Sequence, residues 1–209
     1  MPLVIGHRGF AARFPDNSLA GVRAAFAVGA DGVEVDVRPC AGGAWVCHHD
    51  RLRGGRRVAL WSLAALRRDG VPTLAEVVAA VPDGGWLFVE VKPLPARELA
   101  AYLGRLVDSL APRAARTRVI SSSLPALAAI EDALPGVSRS WVFGELPDWL
   151  PNGLELSPRH TLVEALLGEG RPLHPWTVNR PGRIRALVEL GVASITSNDP
   201  ALAAGVVRG

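Results

Sequence analysis

Short apolar runs rich in β-branched residues recur along the chain, and an Ala/Leu-rich amphipathic stretch follows nearly every one. Such runs predict strands, and the stretches between them, with apolar residues at helical spacing, predict helices. The predicted strands are Leu3–Gly6, Val33–Val37, Leu87–Val91, Arg118–Ser121, Ser140–Phe143, Leu154–Leu156, Pro175–Val178 and Ser194–Thr196. Helices are expected over Asn17–Val28, Thr73–Val81, Ala96–Leu110, Pro125–Leu134, Thr161–Gly168, Pro181–Leu190 and Pro200–Val207, with a short turn of helix near Leu146–Leu150. Asp16 or Asn17, Thr73, Asn179 and Asp199 are placed to cap helix starts, and Pro181 and Pro200 suit first helical positions. One excursion breaks the rhythm: Arg38–Asp50 reads as a hairpin with a Gly42-Gly43 turn and a return strand Ala44–His48.

Eight strand–helix units in 209 residues predict an α/β fold of parallel strands, a (β/α)8 TIM barrel formed as a single domain over residues 1–209. A doubly wound open sheet is the competing architecture. No Ser- or Gly-rich linker divides the chain.

Composition narrows the options. Apolar residues make up 49% and charged residues 21%, which suits a globular protein and excludes wholesale disorder. The net charge of +3 comes with scattered arginines, so a nucleic-acid partner is not expected. Pairs such as Arg56-Arg57 and Arg67-Arg68 read as solvated surface. No run reaches the length of a membrane span, and Met1–His7 lacks the form of an export signal, so a cytoplasmic location without stable membrane insertion is expected. Cys40 and Cys47 are expected as free thiols, with a cross-strand disulfide as the alternative. Lys92 is the one lysine in the chain, which marks it for work suited to a compact ammonium.

Polar residues at the predicted strand ends carry the candidate chemistry, because barrel active sites lie on that face. Glu34 and Asp36 are two apart on one strand, so both side chains point one way. Glu90 and Lys92 repeat the arrangement on the next. Buried acids repel unless a cation lies between them. Three carboxylates without a softer ligand describe a site for Mg²⁺, Ca²⁺ or Mn²⁺. Against Arg8 and Lys92 they leave about one negative charge, and one divalent cation would turn that into about one positive charge, complementary to a phosphodiester. His7 and His49, aimed at this cluster, read as general acid and base. His160 and His174 lack such surroundings and read as structural or exposed.

His7-Arg8-Gly9, Pro15-Asp16-Asn17-Ser18, Glu34-Val35-Asp36, His49-Asp50, Pro72–Val77, Glu90-Val91-Lys92, Trp176–Asn179 and Ser197–Pro200 together resemble the ordered motifs of the glycerophosphodiester phosphodiesterase family. The resemblance implies a β/α barrel that hydrolyses glycerophosphodiesters to an alcohol and glycerol 3-phosphate. It implies Glu34, Asp36 and Glu90 as ligands of one divalent cation, His7 and His49 as the acid–base pair, Arg8 and Lys92 on phosphate, and Trp176 lining the substrate pocket. The nucleophile is water or the substrate's neighbouring hydroxyl. A phospholipase D-like enzyme of the sphingomyelinase D type and a non-catalytic phosphate-binding barrel are the rival readings. Arg51–Val71 is shorter than the family's usual insertion, and Arg51–Gly55 replaces its Arg-Thr-Thr segment. Ser121–Leu124 lacks the family's aromatic, and Ala193-Ser194 stands where Asp-Gly is common.

Overall fold

The structure, a computed structural model, describes residues 1–209. In chain order its elements are β1 (Leu3–Gly6), α1 (Leu19–Ala27), β2 (Gly32–Pro39), β3 (Trp45–Cys47), β4 (Leu52–Arg53), β5 (Arg56–Arg57), α2 (Leu63–Arg68), α3 (Leu74–Ala80), β6 (Trp86–Val91), α4 (Ala96–Leu110), β7 (Thr117–Ser121), α5 (Leu124–Ala133), β8 (Ser138–Phe143), β9 (Glu155–Pro158), α6 (Val163–Leu166), α7 (Pro181–Glu189), β10 (Ser194–Ser197) and α8 (Pro200–Arg208).

Seven of the strands form one parallel sheet in the order β10-β1-β2-β6-β7-β8-β9, and β3 adds to β2 antiparallel. Alternation along the strands separates two cores. Val33, Val35 and Val37 of β2 face outward into a helix layer with Val22, Leu74, Val77, Leu99 and Leu106. On the opposite face, Ile5, Phe88, Ile120 and Val142 from four strands meet in a small cluster with Leu3, Trp86 and Trp176 packed against it. A sheet must curl for its inner face to meet itself in this way.

The expected strand at Pro175–Val178 is absent as a regular element. The segment makes isolated bridges, Leu156 with Leu173 and Arg159 with Trp176. Its backbone is nonetheless bonded on both flanks: His174 N–H donates to Leu156 O (2.8 Å) and Val178 N–H to Thr196 O (2.8 Å). Pro172 and Pro175 have no N–H to donate, which interrupts the ladder.

Further differences have local causes. The cap of α1 is Ser18, which accepts from Gly21 N–H, because Asp16 and Asn17 are engaged elsewhere. Thr73 and Glu76 form a full capping box, and Asp199 caps α8 through Leu202 N–H. Asn179 caps nothing; its side-chain oxygen accepts from Asn198 N–H across to β10. Residues 146–150 hold no helix, whereas α2 and the β4–β5 hairpin arise in the stretch after His49-Asp50. The region expected at Thr161–Gly168 is one α-helical turn, α6, flanked by 3-10 turns. Cys40 and Cys47 are both free and buried. Arg57 and Arg67 pair with Glu98 and Glu76. No helix is long and apolar enough to cross a membrane.

Candidate active site

With its three valines turned outward, β2 directs Glu34 and Asp36 inward. Parallel pairing with β6 then sets Asp36 beside Glu90. Lys92, just past the end of β6, places Nζ 2.7 Å from Asp36 Oδ1 and 2.7 Å from Glu90 Oε1. The Glu34, Asp36 and Glu90 side chains each offer an oxygen within 4.8 Å of the others.

The turn after β1 supplies the second wall. Arg8 adopts φ +51°, and its N–H donates to Glu34 Oε2 at 3.0 Å. Its guanidinium lies between Asp16 (2.5 Å) and Asp36 (3.2 Å). His7 Nε2 stands 3.9 Å from Glu34 Oε2, while Nδ1 meets Asn198 Oδ1 at 2.6 Å. An amide oxygen only accepts, so the ring proton sits on Nδ1 and the Nε2 lone pair faces the carboxylates.

His49 enters from the hairpin. His48 N–H donates to Asp36 O, which ties the end of the return strand to β2. His49 Nδ1 pairs with Asp50 Oδ1 at 2.8 Å, so Nε2 is again the free nitrogen. Asp50 is held below the usual carboxylate value, chiefly by this bond.

Electrostatics single out Glu34. Burial alone would raise the Asp36 carboxyl, but Lys92, Asn17 and Arg8 outweigh it and keep it low. Burial disfavours the Lys92 ammonium, yet Glu90 and Asp36 hold it above its usual value. For Glu34 the compensation falls short: burial first, then Asp36 and Glu90, push it well above the carboxylate range against the opposing pull of Lys92 and the Arg8 N–H. Its Oε1 is buried with no hydrogen-bond partner. A buried oxygen in that state is costly unless a cation meets it. The all-oxygen set of Glu34, Asp36 and Glu90 therefore suits a hard metal ion. Burial likewise lowers His7, with Asn198 offsetting part of the shift.

A cavity of about 200 Å³ opens beside the cluster and brings together His7, Arg8, Glu34, His49, Glu90, Lys92 and Trp176. Asp36 lies one layer beneath, 1% exposed. Trp176 is fixed by Nε1 donating to Ser157 O at 2.8 Å.

Two residues were missed by sequence reasoning. Asn17, expected as a cap, is buried with Nδ2 donating to Asp36 Oδ2 (2.9 Å) and Oδ1 accepting from Asp36 N–H (3.0 Å). A left-handed φ of +59° turns it inward, a conformation Asn tolerates, so its place in Pro15-Asp16-Asn17-Ser18 was the available signal. His174, read as structural or exposed, is 3% exposed, lines the cavity, and lies between Ser194 Oγ (2.8 Å) and Glu155 Oε2 (3.0 Å). Its partners come from β9 and β10, far apart in sequence.

Comparison with known proteins accords with this geometry. The profile of the glycerophosphoryl diester phosphodiesterase family matches residues 7–118. A glycerophosphodiester phosphodiesterase of Caldanaerobacter subterraneus is 27% identical, over 99% of this chain and 98% of its own. A probable glycerophosphodiester phosphodiesterase 1 of Mycobacterium tuberculosis is 30% identical, over 95% of this chain and 90% of its own. Among solved structures, an Oleispira antarctica phosphodiesterase in complex with the product sn-glycerol-3-phosphate superposes with a TM-score of 0.88 at 21% identity, over 100% of this chain and 98% of that one. A Silicibacter pomeroyi structure in the same family superposes at 0.87 with 22% identity, over 100% and 93% of the two chains. The chain thus belongs to the glycerophosphoryl diester phosphodiesterase family, enzymes that hydrolyse glycerophosphodiesters.

Proposed function

We propose that residues 1–209 form one (β/α)8 barrel domain that cleaves glycerophosphodiesters to sn-glycerol 3-phosphate and an alcohol, with His7 and His49 as its acid–base pair. The observation that carries the site assignment is Glu34 Oε1, buried and unpartnered within a three-carboxylate cluster that His7 Nε2 approaches to 3.9 Å. The segment around His174 and Trp176, bonded to β9 on one flank and β10 on the other, supports reading it as the eighth stave. The product-bound Oleispira antarctica structure supports glycerol 3-phosphate as the retained half.

Glu34, Asp36 and Glu90 would hold Mg²⁺ or Ca²⁺, with Mn²⁺ as an alternative. The bound cation would supply positive charge against the phosphate oxygens. The remaining work falls to side chains of this chain. Arg8 and Lys92 sit at the cavity wall, where each can turn an N–H toward a phosphate oxygen. His7, kept neutral by burial, takes the proton of the attacking hydroxyl or water at Nε2. His49, on the open side, would in its doubly protonated form give the Nε2 proton to the departing alcohol oxygen, while Asp50 accepts from Nδ1 and orients the ring. Trp176 lines the same cavity, where it would bound the glycerol half of the substrate. The two free thiols accord with a cytoplasmic location.

Hydrolysis of glycerophosphocholine and related diesters tests the assignment. Chelation by EDTA should abolish turnover, added Mg²⁺ or Ca²⁺ should restore it, and His7→Ala should lower kcat by about 10²- to 10⁴-fold. Activity indifferent to both treatments would sink it. A lipid substrate has one observation in its favour, the exposed Trp149 stacked on Trp141 at 6.3 Å. Cleavage of lysolipid but not of deacylated diesters would favour that reading.

A further inference from the structure

A second cavity, of about 240 Å³, lies between the end of β2, the β4–β5 hairpin and the turn leading into α4. Arg38, Arg51, Arg57 and Glu98 line it, together with the Pro93–Pro95 turn. Three guanidinium groups against one carboxylate leave two formal positive charges. Glu98 is already taken, 3.0 Å from Arg57 Nη2. Arg38 and Arg51 form no salt bridge with any carboxylate, and Arg57 Nε is buried without a partner. The walls thus hold unmatched positive charge and spare N–H donors.

No residue lines both this cavity and the inner one, but short steps of chain join them. Arg38 is two residues beyond Asp36 on the same face of β2, roughly 7 Å further along the strand. Arg51 is two residues beyond His49, and Pro93 follows Lys92. Arg38 Nε donates to the His49 backbone oxygen at 2.9 Å, which fixes its guanidinium between the histidine and the cavity. In-line displacement at phosphorus sends the nucleophile and the leaving oxygen to opposite sides. With the glycerol half in the inner cavity, a departing alcohol that passes His49 on the side of Arg38 would be directed toward this second one.

We propose that the cavity of Arg38, Arg51 and Arg57 is a leaving-group subsite selecting glycerophosphodiesters whose alcohol carries an anionic group, a carboxylate or a second phosphate. The inference rests on the placement of His49 beside the leaving oxygen in the function proposed above. Planar guanidinium forks suit both anions through paired N–H donors. A choline head group, being cationic, would meet repulsion there.

Steady-state kinetics on three matched glycerophosphodiesters test it, with propan-1-ol, 3-hydroxypropionate or 3-hydroxypropyl phosphate as the alcohol. For the wild-type chain, kcat/KM should favour an anionic ester over the propyl ester by about tenfold or more, mainly through KM. Arg51→Gln should erase most of that preference, and Arg51→Glu should invert it. Arg51 is exposed and bonds to nothing through its side chain, so both variants should fold. Preference for phosphate or for carboxylate would each support the subsite and name the anion it takes. Equal kcat/KM for all three esters in the wild type, or a preference untouched by both Arg51 variants, would overturn the subsite and leave the catalytic assignment standing. Turnover of none of the three would overturn that assignment, and the subsite with it.

Discussion

Asn17 binds both the side chain and the backbone N–H of Asp36, so one buried amide fixes how that carboxylate faces the cluster. A hydrogen bond to a charged acceptor contributes about 1.5–3 kcal/mol, and groups that orient metal ligands typically govern 10- to 100-fold in metal affinity. Asn17→Gly isolates this effect, since Gly adopts φ +59° without strain and removes only the amide. Mn²⁺ titration of the variant should show affinity reduced by roughly 10- to 100-fold. Unchanged affinity would mean that Asp36 needs no support from below. Sequence patterning could not distinguish this Asn from a helix cap: both roles place Asn just before an amphipathic stretch, and only the left-handed backbone separates them. Lys92 shows the opposite case, because its rarity and its place two residues after Glu90 were both visible in the chain.

The β1–α1 turn shows how an element holds the site. Gly9 has φ +86°, and a Cβ there would lie 2.7 Å from the Gly21 backbone carbon and 2.8 Å from Val22 N. The His7-Arg8-Gly9 turn therefore rests directly on the first turn of α1, and this contact sets the height of Arg8 over Glu34. Gly9→Ala combines a strained φ with a backbone clash, and each costs of order 1–3 kcal/mol. Thermal unfolding should move down by several degrees, at about 2–4 °C per kcal/mol for a chain of this size. Turnover should fall more than stability alone explains, because Arg8 moves with the turn. A variant with wild-type Tm and kcat would disprove the contact. Strands with strong apolar alternation were legible from sequence, β1 to the residue and β2 and β6 within two residues at either end. The segment after β9 was not, because its prolines interrupt the ladder although its place between two strands is kept. The β4–β5 hairpin and α2 were also hidden, since two-residue strands and a six-residue helix are too short to show a period and tertiary contacts decide their form.

At the scale of the whole molecule, the inner floor is a polar network drawn from strands distant in sequence. Arg118 of β7 pairs with Glu155 of β9 at 2.5 Å; Glu155 meets His174, and His174 meets Ser194 of β10. The network ties the irregular segment to both of its neighbours, doing through side chains what the prolines deny the backbone. Burial lowers His174, and the bond to Glu155 only partly offsets this. In the folded chain the ring is therefore neutral under conditions where the unfolded chain, with an ordinary value of about 6.5, already binds a proton. The unfolded state then holds the extra proton, so stability rises with pH across that window. The contribution is complete above about pH 6.5 and is lost as pH falls toward the depressed folded value. One proton corresponds to a slope of at most about 1.4 kcal/mol per pH unit. Glu155 acts in a separate window, because its carboxyl is held low and its contribution is lost only at more acid pH. His174→Asn should lower stability at neutral pH by removing two buried hydrogen bonds. It should also flatten the dependence below pH 6.5 relative to the wild type. The difference in slope isolates His174, since the other buried histidines titrate in both proteins. Urea unfolding of the two chains at pH 7.5, 6.5 and 5.5 supplies the comparison, and parallel slopes would show that the folded chain already carries His174 as a cation.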